Sequence, residues 1–166
     1  MPPTAGDPRR ILGILAAHHV RFVVVGGVAA VLHGAPLATF DLDIVRDRSA
    51  DNVKRLLGAL DALGARSRLH SESIVRPDAS HLIGPGHVLL TTDAGELDVL
   101  GTAGRGRAYT DLVVHSIPME VGPGLVVQVL DLPTLIETKQ EAGRPKDLAA
   151  LPTLRATLEE RQRRGE

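Results

Sequence analysis

The chain has 166 residues and a mass of 17.6 kDa, the size of one ordinary domain, which excludes a second full one and leaves enough length to bury roughly two-thirds of the unfolded surface. With 43% hydrophobic and 23% charged residues and a formal net charge of −1, neither general disorder nor an evenly basic nucleic-acid coat is compatible, so any polyanion must be met by a local strip. The absence of cysteine excludes a disulfide framework, a thiolate nucleophile and a sulfur-based zinc site, and three aromatics (Phe22, Phe40, Tyr109) are too few for a base-stacking platform.

Arg9-Arg10 and the apolar run Ile11–Ala17 imitate the start of a secretory signal, but the run stops at His18-His19 without a small-residue cleavage site. Apolar positions 11, 12, 14 and 15 instead predict a helix over residues 8–19. Phe22-Val23-Val24-Val25 predicts a strand covered on both faces, and Gly26-Gly27 a tight turn into a short helix ending at His33. That glycine pair also breaks the best apolar stretch well short of the roughly 20 residues needed to span a bilayer, so the expectation is a cytoplasmic protein with no membrane partner. Ala38 to Val45 alternates, with Thr39, Asp41 and Asp43 on one face and Phe40, Leu42 and Ile44 on the other, which predicts a second strand.

Ser49 is placed to cap a helix over about 50–63, with Val53, Leu56, Leu57, Leu60 and Leu63 at helical spacing and Gly64 closing it. Residues 65–86 are irregular. A hairpin follows, Val88–Thr92 and Glu96–Leu100 around Asp93-Ala94-Gly95. Gly101–Arg107 reads as a flexible loop, with short strands expected near 113–121 and 125–130. Asp131 and Pro133 open a helix that Gly143 closes, and Arg144-Pro145 leads into a last helix and the charged tail Glu159–Glu166. The expected organisation is a single domain over 1–166, with a sheet and helices in 20–130 and a helical part in 131–166.

The strongest chemical signal joins Gly26-Gly27 to Asp41-Leu42-Asp43. Aspartates at i and i+2 of a strand project from one face, where their charges repel unless a cation lies between them. Magnesium, a hard ion that takes carboxylate oxygens and completes its octahedron with triphosphate oxygens and water, suits that position. A glycine turn at a helix N-terminus offers backbone N–H groups to the phosphates with no side chain in the way.

Val25-Gly26-Gly27-Val28-Ala29, His33-Gly34 and Thr39-Phe40-Asp41-Leu42-Asp43-Ile44 resemble the signature of the polymerase-β-type nucleotidyltransferases, in the small branch of AbiEii-like and MenT-like toxins. The resemblance covers residues from about 20 to 150. It implies an α/β (α+β) fold with a mixed sheet flanked by helices, two magnesium ions held by Asp41 and Asp43, and transfer of a nucleoside monophosphate from an NTP with release of pyrophosphate. It also implies a third carboxylate, Asp98, on the second metal and assisting deprotonation of the acceptor. Lys139 followed by Arg144-Pro145-Lys146-Asp147 resembles the family's lysine and the turn after it. The charge demands of phosphoryl transfer then make Lys139 a γ-phosphate clamp and Arg144 and Lys146 contacts to the acceptor's phosphates, with Asp147 orienting Lys139 or Arg144.

The chain departs from the family pattern in having Gly-Gly where Gly-Ser is familiar, and in lacking a basic residue at Pro36-Leu37-Ala38. Triphosphate neutralisation then falls to the backbone, Lys139 and nearby arginines. Of the nineteen basic residues only Lys54, Lys139 and Lys146 are lysines, and two of them flank one turn.

The toxin branch implies tRNA, at its 3′ end, as the acceptor, met by a strip of Arg105, Arg107, Arg144 and Lys146, and a cognate antitoxin as partner. It also implies that Thr39 is a site of regulatory phosphorylation. Competing acceptors are a protein hydroxyl, as in AMPylation, and a small antibiotic. A dinucleotide-binding domain is disfavoured because Gly-x-Gly-x-x-Gly is absent, and a noncatalytic module because all three aspartates are present. His33 is expected to be structural, with contact to the nucleotide as its alternative role. His18 and His19 point to different sides of their helix and do not form a chelating pair.

Overall fold

A computed structural model of the chain describes residues 6–39, 41–69 and 73–166. Helix α1 (Pro8–Ala17) starts where the Asp7 carboxylate accepts the Arg10 N–H at 3.1 Å, and it buries Ile11, Leu12 and Leu15. Strand β1 (Phe22–Val25) is buried along its whole length and runs directly into α2 (Gly26–Leu32). Then come β2 (Asp41–Arg46), α3 (Ala50–Ala62), β3 (Arg66–Ser67), α4 (Ala79–Ile83), β4 (Val88–Thr92) and β5 (Gly95–Leu100). The C-terminal half adds α5 (Tyr109–Val113), β6 (Ser116–Gly122), β7 (Leu125–Leu130), α6 (Leu132–Ala142) and α7 (Pro145–Arg163).

The strands form one mixed seven-stranded sheet in the order β3-β4-β5-β2-β1-β7-β6. β2 pairs antiparallel with β1 and parallel with β5, and β7 returns parallel to β1. Leu42, Ile44, Leu97 and Val99 of the two central parallel strands are fully buried. Their alternate positions carry the acidic residues, as period-2 alternation requires. α1 packs on α3 and β7, α5 covers β1 and β7, and α6 lies between α2 and α7. Pro118, which cannot donate to a ladder, sits on the edge strand β6.

Several expected elements form as read. The Asp93-Ala94-Gly95 hairpin joins β4 to β5, and the Asp131 carboxylate accepts from Thr134 N at 2.8 Å to cap α6, which Gly143 ends at φ +64°. Others are corrected. The second strand starts at Asp41 rather than Ala38, because β1 turns into α2 after Val25, the partner of Asp43, and β5 begins only at Gly95. Thr39 therefore precedes the strand, and alternation does not set its direction; Phe40 lies outside the described residues.

Ser49 occupies the cap position of α3 but its hydroxyl is taken by Arg21 at 3.1 Å and makes no cap bond. The strand expected near 113–121 begins at Ser116, because residues 109–113 form a short helix. The 101–107 segment is closed by an Ala103–Arg107 bridge rather than left loose. No helix among the described residues is long and apolar enough to cross a membrane.

At the far end of β2, Arg46 is 0% exposed and has no ion-pair partner among the described residues. Its guanidinium donates to five carbonyls: Leu82 (2.8 Å), Val99 (3.0 Å), Gly84 (2.7 Å), Gly86 (2.9 Å) and His81 (3.3 Å). Burial lowers its pKa to about 10, so the cation persists at neutral pH and ties α4 and the 84–86 turn to the sheet.

Candidate active site

The parallel register of β2 and β5 sets Asp43 opposite Asp98 and Asp41 opposite Glu96. Neighbouring strands lie about 4.8 Å apart, so two residues two apart on each strand make a square of four carboxylates on one face of the sheet. Burial, then the hydrogen bond to Asp98 and the charges of Asp98 and Asp41, push Asp43 up to about 7, against the opposing pull of Lys139. The Glu96 carboxyl is also raised, first by its hydrogen bond to Asp41.

Gly26 opens α2 beside this square. Its φ of +67° is left-handed, and a Cβ there would collide with Asp43 Oδ2; both conditions call for glycine. A Cβ on Gly27 would stand 2.7 Å from Thr39 Oγ1. Gly27 is thus packed against Thr39, and Gly26 is the glycine of the pair that lines the cavity described below. The Thr39 hydroxyl donates to Asp41 O at 3.2 Å, which keeps it next to the acidic strand although the strand itself does not carry it.

Asp41, Asp43, Asp98, Gly26, Lys139, Arg144, Lys146 and Asp147 all line one cavity of about 690 Å³. Its basic part is organised by Asp147, which is 1% exposed. Asp147 Oδ1 accepts from Lys139 Nζ at 3.3 Å, and Oδ2 accepts from Arg144 Nε at 2.7 Å. Burial opposes the Asp147 charge, but these two cations outweigh it and hold the carboxyl below its usual range. The structure thus brings Asp147 to both Lys139 and Arg144, while Lys146 has no ion-pair partner among the described residues.

The expected basic strip is thinner than the sequence suggested. Arg107 is bound by Glu137 at 3.2 Å and by Glu141, and its charge is spent inside the fold. Arg105 contributes its backbone N–H to Glu141 at 3.0 Å. Arg144 pairs with Asp147 through Nε while most of its side chain stays exposed at the cavity. His33 is structural: it is buried between Leu130 O (2.8 Å from Nε2) and Arg161 Nη1 (2.6 Å from Nδ1), the pattern of a neutral ring that donates through Nε2 and accepts at Nδ1.

Sequence reasoning missed Glu96 and Arg68. Glu96 was legible, since it stands two residues before Asp98 as Asp41 stands before Asp43. Arg68 carried no local signal: it follows the two-residue β3 in a segment without periodicity. Its Nη2 donates to Asp98 Oδ1 at 2.7 Å and to Leu90 O at 2.8 Å, and its Nε lies 3.6 Å from Glu96 Oε1.

An all-carboxylate donor set suits a hard divalent cation, which takes one or two carboxylates and fills its remaining positions with phosphate oxygens and water. Among the described residues no three His, Asp or Glu side chains stand ready as a cage. The chemistry fits shared ligation by carboxylates and a triphosphate rather than a site made by protein alone.

No family model matches the chain, and no curated protein matches it significantly. Among solved structures, a candidate nucleotidyltransferase from Thermotoga maritima is similar to it with a TM-score of 0.56, at 21% identity, over 93% of this chain and 91% of that one. At that identity the likeness is one of fold alone, and it extends over nearly the whole of both chains.

Proposed function

We propose that the chain is a magnesium-dependent nucleotidyltransferase that moves a nucleoside monophosphate from an NTP to an acceptor hydroxyl and releases pyrophosphate. The observation that carries this reading is the parallel β2–β5 register, which brings Asp41, Asp43 and Asp98 together in one cavity with Lys139, Arg144 and Lys146. Phosphoryl transfer asks a protein chiefly for positioning and for opposite charge at fixed places. Asp41 and Asp43 would hold two magnesium ions and Asp98 the second of them; bound there, the ions neutralise the triphosphate and lower the pKa of the attacking hydroxyl.

The remaining work falls to the chain's own residues. Asp98 accepts the acceptor's proton. Lys139, steadied by the buried Asp147, presents a compact ammonium to the γ-phosphate, and Arg144 and Lys146 contact the outer phosphates. Gly26 leaves the space beside Asp43 clear. Lys139→Ala is expected to weaken apparent NTP affinity by about tenfold or more, and Lys139→Arg not to restore it, because a planar fork does not replace a point charge. Steady-state kinetics over a range of NTP checks this, and unchanged kinetics would place the clamp elsewhere.

The acceptor we favour is tRNA at its 3′ end, with the protein acting as a toxin restrained by a cognate antitoxin. This finer reading is supported by the motif resemblance of residues 25–44 and 139–147. With Arg107 neutralised and Arg144 paired, the slope of binding against salt should correspond to about two phosphates. Incubation with each labelled NTP, total tRNA and magnesium tests it. Label in tRNA supports the reading, label in protein moves the acceptor to a protein hydroxyl, and no turnover of any NTP favours a noncatalytic binding module.

Thr39, against Gly27 and beside Asp41, is the proposed regulatory site: a phosphate there adds about −1.5 to −2 charge next to the carboxylates and repels the triphosphate. Coexpression with the genomic neighbour followed by peptide mapping is expected to show modified Thr39. Finding it unmodified in an inhibited sample would point to occlusion by a bound partner.

A further inference from the structure

The four carboxylates of β2 and β5 need a counter-charge before any ligand arrives, and the basic residues of the cavity do not all supply it. Lys139 and Arg144 are bonded to Asp147. Among the described residues the cation ion-paired to the acidic square is Arg68, bonded to Asp98 at 2.7 Å and 3.6 Å from Glu96. Its grip is incomplete. One nitrogen serves both Asp98 and the Leu90 carbonyl, while the buried Nε stands 3.6 Å from Glu96 Oε1, too far for a good hydrogen bond, and has no hydrogen bond among the described residues. An unsatisfied buried donor costs free energy until an acceptor reaches it.

Arg68 also lines the same cavity as Asp41 and Asp43, and a guanidinium fork matches phosphate oxygens in pairs. We propose that Arg68 is an exchangeable counter-ion of the active site: it holds Asp98 in the free protein and passes to a phosphate oxygen of the nucleotide when a divalent cation claims Asp98. The inference rests on the nucleotidyltransferase reading above and adds to it a positioning residue that couples metal entry to triphosphate binding. Without nucleotide, Arg68 competes with the metal for Asp98; with nucleotide, the same side chain strengthens the complex.

The two halves predict opposite signs in one variant. In Arg68→Ala, Mn2+ alone should bind about fivefold more tightly, since an ion pair that competed for Asp98 is gone, as read from the free Mn2+ signal by electron paramagnetic resonance. Inorganic tripolyphosphate with Mg2+, a probe without a base, should bind about tenfold more weakly by calorimetry. Arg68→Gln, which keeps a donor for Leu90 O, carries the comparison if the alanine variant does not fold. Arg68→Lys should leave Mn2+ affinity near wild type while still weakening tripolyphosphate.

Unchanged Mn2+ affinity in both Arg68→Ala and Arg68→Gln would overturn the proposal. So would tighter Mn2+ with unchanged tripolyphosphate, which would make Arg68 a fixed counter-ion only. Failure of the wild-type protein to bind either probe would overturn the nucleotidyltransferase reading along with it.

Discussion

Replacing Asp43 with Asn is expected to abolish nucleotide transfer, by on the order of a thousandfold or more, and at the same time to raise the melting temperature of the metal-free protein at pH 8. The two effects share one cause. Asp43 is crowded by burial and by the charges of Asp98 and Asp41, which push its pKa to about 7, against an ordinary value of 3.8. Between those values the unfolded chain has released a proton that the native chain still holds. Stability from this group is therefore complete below about pH 4, falls as pH rises, and is lost by about pH 7.

The shift of roughly three units, at 1.36 kcal/mol each, sets an upper bound of about 4 kcal/mol, equivalent to a rise of several degrees in the variant. Added Mg2+ should stabilise the wild type and do little for Asp43→Asn. Thermal melts at pH 5 and pH 8, with and without Mg2+, together with the transfer assay, check the prediction. A variant that retains full activity, or one that melts lower at pH 8, would remove Asp43 from the proposed metal site. Strand alternation treats Asp41 and Asp43 as equals. Both face a carboxylate across the strand, Asp41 facing Glu96 and Asp43 facing Asp98; burial, the largest cause of the raised Asp43 pKa, is what makes Asp43 the position of larger effect.

Arg46→Met is expected to destabilise the fold by about 3–5 kcal/mol, since a buried polar group left unsatisfied costs about 1–3 kcal/mol and several carbonyls lose their donor at once. The midpoint should fall by about 10 °C. Methionine keeps an apolar stem in place of the arginine's, so the loss comes mainly from the five carbonyls of the 81–86 segment and Val99 that lose the guanidinium as donor. Arg46→Lys should recover only part of it, since three donors on one nitrogen cannot reach carbonyls spread around a planar fork. Arg46 lies at the opposite end of β2 from Asp41, so transfer measured well below the midpoint should survive. A melting temperature within a degree of wild type would show that water replaces the guanidinium.

The local syntax of the chain was legible without coordinates wherever a feature is closed by residues near one another. Asp131, Pro133 and Gly143 bracket α6, Asp93-Ala94-Gly95 turns the hairpin, and the four-residue run Phe22–Val25 reads as a buried strand. Each depends on caps, turn chemistry or hydrophobic period over a few positions. The pair Asp41/Asp43 was likewise visible as an alternating acidic face, whereas Asp98 and the grouping of Lys139 with Arg144 and Asp147 were singled out by their resemblance to the nucleotidyltransferase signature.

What tertiary structure alone decided depends on which non-local partner each residue meets. The parallel register placing Asp98 on Asp43 and Glu96 on Asp41, the arrival of Arg68 on Asp98, and the capture of Arg107 by Glu137 and Glu141 join segments about 30 to 55 residues apart. The same non-local pairing starts β2 at Asp41 and leaves Thr39 outside it, because a strand extends only as far as its neighbours do. Residue type and period say which charges a chain carries; only the fold says which of them neutralise one another and which remain to meet a ligand, because electrostatic partnership follows distance in space rather than along the chain.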